Sequence, residues 1–395
     1  MSLLKYFVAI FLLISIGSCS TDANKPENVI PEMEVPEEGD DTNEEEEEAE
    51  NVFEGDIVLT NQDEIDDFGS NNYTLVTGNV SIIYDENNPS GPEITSLLPL
   101  ISIETISNDL LIQTLNDLEN LDGLENIVNI FGNVSLVGSS SLLNINGIST
   151  ANFNKLLFLQ SLSALETFPE FNQITSLEIL RVQSLSIQEL NSLNNLTEIS
   201  LEISIGSNNM LETISGFQTL ETVGGNFNLS GHDSLQTVNG FTSLSTIDGD
   251  ISIVGNLMPN IDFLQNIQTG RSIYIGGSTS NEILNISGLQ SLVSCKFLTL
   301  ENINSTSIES LQSFSEVESI RITNCPNLTS LNGLENLGPN LSQPSTIATF
   351  MQNENLTDFC AITNLVVSSP NITFTTIFNG FDPTEQDILS GNCSM

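Results

Sequence analysis

Tryptophan is missing from this 395-residue chain, histidine occurs once, and lysine and arginine together number seven against 52 acidic residues. Each shortage excludes something. A formal charge of −45 is repelled by phosphate backbones, which excludes nucleic acid as a partner. A single histidine and the lack of any Cys-x-x-Cys spacing leave no ligand set for zinc, and no metal or other cofactor is expected. There is no Gly-x-Ser-x-Gly elbow, Cys/His pair or phosphate loop to carry nucleophilic or phosphoryl chemistry, so the chain is not expected to be an enzyme. Carboxylates are abundant, but abundance is not placement. Past the first twenty residues no apolar run is long enough to span a bilayer, and no hydrophobic tail closes the chain. What is plentiful is Leu, Ile, Asn, Ser and Thr, a mixture that suits short strands and polar turns better than long helices.

The first 18 residues read as a secretory signal: Lys5, then the apolar run Tyr6 to Ile16, too short for a membrane span. The run closes on Ile16-Gly17-Ser18-Cys19, which resembles the lipobox of bacterial lipoproteins. That resemblance implies cleavage before Cys19, acylation of its thiol and new amino end, and a stable membrane anchor. Residues 19–50 carry 14 acids, including the run Glu44 to Glu48, against Lys25 alone. Such a segment buries too little apolar surface to offset chain entropy and reads as a disordered tether. An acidic interaction tail is the other reading of the same residues. Acids soon after the lipidated Cys also resemble an export signal to the outer face of the cell.

From about residue 78 the sequence repeats. Apolar pairs flanking one outward position recur at Val80/Ile82, Leu110/Ile112, Val134/Leu136, Leu157/Leu159, Leu180/Val182 and Ile203/Ile205. They continue at Phe227/Leu229, Ile251/Ile253, Ile273/Ile275, Leu298/Leu300 and Ile320/Ile322. Alternation is the strand period, and a return every 22 to 30 residues predicts one strand per coil of a solenoid. Between strands, apolar residues fall at every third position, as in Leu115, Leu118, Leu121, Leu124, Ile127 and Ile130. Steps of three drift around an α-helix, so they predict 3₁₀ turns and short corners rather than a long helix.

The stretch Leu235 to Ile253 has the pattern L-x-x-V-x-G-F-x-x-L-x-x-I-x-G-x-I-x-I, which resembles the receptor L-domain branch of leucine-rich-repeat proteins and related bacterial surface lipoproteins. The resemblance covers roughly residues 52–393. It implies a mostly β, right-handed β-helix of about eleven coils, with one parallel strand ladder, short 3₁₀ turns and capped ends. The folded region is taken as 51–395, with an N-terminal cap at about 51–78 and a C-terminal cap at about 345–395. Within the first cap, Ile57-Val58-Leu59 is strand-like and Thr60 to Glu64 opens a short helix ending before Gly69. Within the second, Asp382 offers an N-cap with Pro383 in the first turn and Glu385 at N3, closing at Gly391. The insertion Tyr84 to Pro99, with Pro89 and Pro92, breaks the repeat and is expected to project as a loop.

Four cysteines remain beyond Cys19. Cys295 continues the inward ladder from Ile286, Leu289 and Leu292, and Cys325 follows Ile322 in the next coil; these two are expected not to bond. Cys360 and Cys393 both fall in the C-terminal cap, where a disulfide would close the end, and are expected to pair. His232 follows the Phe227 strand and reads as a solvated turn residue. Asp248-Gly249-Asp250 is either a calcium fragment or a turn before a strand. About a dozen Asn-x-Ser/Thr sequons follow from Asn-rich turns, or mark glycosylation in a eukaryotic cell wall.

The folded region has five bases: Lys155, Arg181, Arg271, Lys296 and Arg321. Arg181 and Arg321 stand at outward strand positions, and the other three lie two residues before a strand's first inward residue. Outward Leu156, Phe158, Ile179, Tyr274 and Phe297 add apolar surface to the same face. Either these bases neutralise acids on neighbouring coils, or they anchor a ligand together with the aromatics. On the second reading the ligand-binding residues are Phe158, Arg181, Tyr274, Phe297 and Arg321. The expected function is a lipid-anchored monomer on the outer membrane or cell surface, binding a protein or glycan and touching the membrane only through its lipid. A β-helical polysaccharide-degrading enzyme and a structural surface-layer component are the alternatives.

Overall fold

The computed structural model describes residues 51–84, 91–276, 283–339, 345–369 and 371–395. The signal, Cys19 and the acidic tether lie outside them, as do residues 85–90 of the insertion. The described chain is mostly β and is organised by one long parallel ladder. Its strands are β1 (Ile57–Leu59), β2 (Val80–Ile83), β3 (Leu110–Gln113), β4 (Val134–Val137), β5 (Leu156–Gln160), β6 (Ser176–Gln183) and β7 (Glu198–Gly206). The ladder continues with β8 (Asn226–His232), β9 (Asp250–Asn256), β10 (Thr269–Gly276), β11 (Ser294–Glu301), β12 (Glu316–Thr323), β13 (Ile347–Met351) and β14 (Thr373–Ile377).

Each strand pairs with the strand of the preceding return. Val80 lies beside Leu110, Leu110 beside Val134 and Val134 beside Leu157; the same register holds through Ile203 and Phe227 to Leu298 and Ile320. A slip of one residue would turn every inward pair to solvent, so burial of the apolar pairs sets the register. The sheet stays open. Among the described residues of the ladder β1 pairs with β2 alone, and β14 with β13 alone.

Three strands join the eleven that the repeat marks. β1 belongs to the N-terminal cap but pairs with β2, and β13 and β14 continue the ladder through the region read as a C-terminal cap. The last strand carries Thr-Phe-Thr-Thr-Ile, where no pair of large aliphatic residues brackets an outward one, so it has no alternation to reveal it.

The returns between strands bury the three-residue ladder: Leu118 and Leu121 are fully buried, and Leu115, Leu124, Ile127 and Ile130 nearly so. Short 3₁₀ turns such as Asn146–Ile148, Asp262–Leu264 and Ser287–Leu289 make the bends. Phenylalanines thicken the core at mid-ladder. Phe217 and Phe241, one return apart, stack with ring centroids 4.7 Å apart and planes 6° from parallel, an arrangement that adds to the value of their burial.

Helix α1 (Gln62–Gly69) covers the first end, buries Ile65 and Phe68, and is capped by Asn61. The insertion is packed from Gly91 onward rather than projecting. Ile94 and Leu97 are buried, Gln62 N–H donates to the Pro92 carbonyl, and the Gln62 side chain accepts from Thr95 and Ser96 N–H. The prolines mark a break in the repeat; the buried Ile94 and Leu97 beside them decide where the segment goes. At the other end stand α2 (Thr363–Ser368) and α3 (Glu385–Leu389). The cap of α3 is Thr384 rather than Asp382: Thr384 and Asp387 form a reciprocal capping box. Asp382 instead accepts from Phe378 and Asn379 N–H.

Candidate binding face

The outward side chains of the ladder lie in rows, one residue per strand. The middle row runs Phe158, Arg181, Ser204, Asn228, Ser252, Tyr274, Thr299, Arg321 and Thr349. The five candidate ligand residues therefore share one face, but they form two groups. Phe158 and Arg181 are neighbours on β5 and β6, whereas Tyr274, Phe297 and Arg321 cluster on β10, β11 and β12. Between Arg181 and Tyr274 stand Ser204, Asn228 and Ser252, a separation of four strands or roughly 19 Å at the usual spacing. A small ligand would touch one group and not both.

Most of the bases are already engaged. Lys155 pairs with Glu178; Arg181 holds Glu202 through Nε and Nη2, each at 3.0 Å; Arg271 holds Asp250 at 2.7 and 2.5 Å; Lys296 lies 3.9 Å from Glu318. All four pairs join residues 21 to 23 positions apart, that is, one strand to the next. Arg271 also holds the Asp250 carboxyl below its ordinary range through that hydrogen bond. Arg321 is the exception. It is exposed, and among the described residues no carboxylate pairs with it.

The apolar neighbours differ as well. Phe297 is 46% exposed, Phe158 and Tyr274 are half-buried, and Leu156 is only 8% exposed. Leu156 lies beside Ile179 in register, so the two cover one another and Leu156 adds no open surface. The Tyr274 hydroxyl donates to Glu301 Oε2 at 2.7 Å. Partial burial, then that hydrogen bond to a carboxylate, push the phenol up to about 12 and keep it protonated.

His232 is no solvated turn residue: it is fully buried. Its Nδ1 accepts the Asn208 N–H at 3.2 Å, which leaves Nε2 to donate to the Ile205 carbonyl, also at 3.2 Å. Burial lowers its pKa to about 4, so the ring is neutral at physiological pH. The position belongs to a column five residues past each strand's first inward residue, occupied elsewhere by Leu162, Leu185, Asn208, Asn256 and Asn353. Asn208 and Asn353 satisfy the preceding return in the same way, accepting from Leu185 and Cys325 N–H and donating to the Val182 and Ile322 carbonyls. An apolar-only reading misses this column. The signal that could have found it is the Asn recurring at the same offset.

Cys295 and Cys325 are free and buried, and desolvation raises their pKa values to about 12 and about 11, which leaves both thiols inert. Cys360 and Cys393 are joined in a disulfide with Cα atoms 4.9 Å apart. Asp250 of the Asp-Gly-Asp turn is a strand residue tied to Arg271. Among the described residues no cluster of three or more His, Cys, Asp or Glu side chains is placed to hold a metal ion. No described helix is long and apolar enough to cross a membrane. An open concavity of about 670 Å³ lies away from the outward rows, lined by Glu125, Asn129, Asn152, Gln173 and Thr175 on the approaches to β4, β5 and β6. Its lining is polar and its mouth wide, and it gathers no cluster of reactive groups. No protein-family model matches the chain, and no curated protein matches it.

Proposed function

We propose that this chain is a lipid-anchored protein of the outer membrane or cell surface whose leucine-rich-repeat-like solenoid, of receptor L-domain type, binds a protein or glycan through its outward sheet face. The observation that carries the reading is the exposed cluster on β10, β11 and β12. There a half-buried tyrosine, an exposed phenylalanine and an arginine with no carboxylate partner among the described residues stand together on a parallel sheet. Aromatic and arginine side chains are the residue types that most often dominate binding energy, and a stacked ladder holds them without ordering on contact.

The anchor half of the proposal rests on Cys19 and the apolar run before it, residues outside the described structure. Intact-mass analysis of membrane-derived protein tests it: an acylated mature chain beginning at Cys19 is expected, and an unmodified chain ends the idea. For the binding half, the purified protein is screened on combined glycan and protein arrays. Ligand retention that is lost when Tyr274, Phe297 and Arg321 are replaced together supports the face; retention unchanged by that triple replacement rejects it.

A further inference from the structure

We infer that Arg321 is the anchor for a carboxylate on a glycan lying across β10 to β13, an assignment that rests on the binding-face function proposed above. The first ground is the asymmetry among the bases. Lys155, Arg181, Arg271 and Lys296 each meet an acid on the adjacent strand, and among the described residues Arg321 meets none. Chance placement on so acidic a surface favours a partner for every base. Glu301, diagonal to Arg321 on β11, accepts from the Tyr274 hydroxyl instead, and Arg321 is left available for a carboxylate from outside, which its planar fork matches with two parallel hydrogen bonds.

The surroundings supply the second ground. Directly beside Arg321 stand half-buried Thr299 and buried Thr349, and its own strand carries half-buried Ser319 and buried Thr323 in the same register. Phe297 and Ile347, 46% and 42% exposed, flank Ser319 on either side. The patch is thus a guanidinium beside two accessible hydroxyls, Thr299 and Ser319, with apolar surface at its margin, which suits a sugar's hydroxyl groups and its C–H faces. An extended peptide finds less here: β11 and β12 are paired along both edges, leaving no free backbone groups to add a strand. The net charge of −45 narrows the ligand further. A polyanion would be repelled, whereas one carboxylate on an otherwise neutral oligosaccharide is held locally while the more distant acids are screened beyond about 10 Å. The ligand class is therefore an oligosaccharide bearing an isolated acidic sugar.

The test uses oligosaccharides ending in a uronic or sialic acid, each paired with the same oligosaccharide lacking the acid, titrated against the purified protein and two variants. The wild type is expected to prefer the acidic member of each pair. Arg321→Ala should weaken that binding about tenfold to a hundredfold, the worth of a charge-assisted hydrogen bond, and leave the neutral probes unchanged. Arg321→Lys, which keeps the charge and loses the fork, should fall between. Equal binding of acidic and neutral probes, or no change in either variant, overturns the assignment while the face itself can still be read from neutral-probe binding. Preference for a peptide with a free C-terminal carboxylate over every sugar overturns the glycan class. Failure of the wild type to bind any sugar or protein probe removes both this assignment and the function beneath it.

Discussion

The backbone N–H of Asn208 donates to Nδ1 of His232, 24 residues further along the chain and one strand over in the ladder. The imidazole does there what the amide of Asn208 itself does for Leu185, accepting with one atom and donating with the other.

That equivalence makes His232 the acid-sensitive point of the column. With its pKa at about 4 in the fold and near 6.5 when unfolded, the unfolded chain takes up a proton first as the pH falls. The stability that the neutral ring contributes is complete above about pH 6.5 and is lost progressively down to pH 4, on the order of 3 kcal/mol in all. His232→Asn should stay within about 1 kcal/mol of wild type at pH 7, because neighbouring returns show that Asn fits. Urea denaturation at pH 7, 5.5 and 4 checks this: the gap between variant and wild type must move in the variant's favour as the pH drops.

Gly240 packs one return above Gly216. A Cβ built on Gly240 would lie 2.3 Å from the Gly216 carbonyl oxygen, a backbone atom with no room to move. Gly240→Ala is expected to cost at least about 2 kcal/mol through forced separation of two returns. Gly338→Ala, whose nearest neighbour would be 3.6 Å away, should stay within about 0.5 kcal/mol. Thermal melting of both variants checks the contrast, and equal effects would refute it.

The Cys360–Cys393 bond closes a loop with a sequence separation of 33. In the chain-entropy description that is worth about 3–4 kcal/mol. Because each return of a repeat touches only its neighbours, Cys360→Ala with Cys393→Ala should loosen the C-terminal end first. Faster hydrogen exchange confined to α2, β14 and α3 is the expected result; uniform acceleration along the ladder would argue against it.

Arg181 and Arg321 occupy equivalent outward positions with opposite circumstances, one paired with Glu202 and the other without a carboxylate partner among the described residues. A double-mutant cycle on Arg181 and Glu202 should give a coupling of about 0.5–1 kcal/mol that shrinks in 1 M salt, as half-exposed pairs do. Arg321→Glu should leave the melting temperature nearly unchanged at either salt concentration. If it lowers stability as reversal at Arg181 does, Arg321 is a charge-balancing residue as well.

The ladder was legible because strand alternation and a return near 23 residues are both one-dimensional signals. Val80, Leu110 and Val134 could be aligned by counting, and they lie side by side. The helix at the first end was legible too, from Asn61 before Asp63 and Glu64. The fate of Gly91 to Pro99 was not, since the prolines mark a break without saying what Ile94 and Leu97 pack on.

By itself the sequence determined the register, since only one alignment of returns buries every apolar pair. Tertiary structure alone decided which polar groups meet. Whether Arg181 finds Glu202 and Arg321 finds no carboxylate among the described residues depends on side chains that the ladder lays alongside them from more than twenty residues away. His232 illustrates the same limit. A polar residue past a strand end reads as solvated, and only the stacking of returns above and below it closes off the water and supplies the Asn208 N–H and the Ile205 carbonyl in its place.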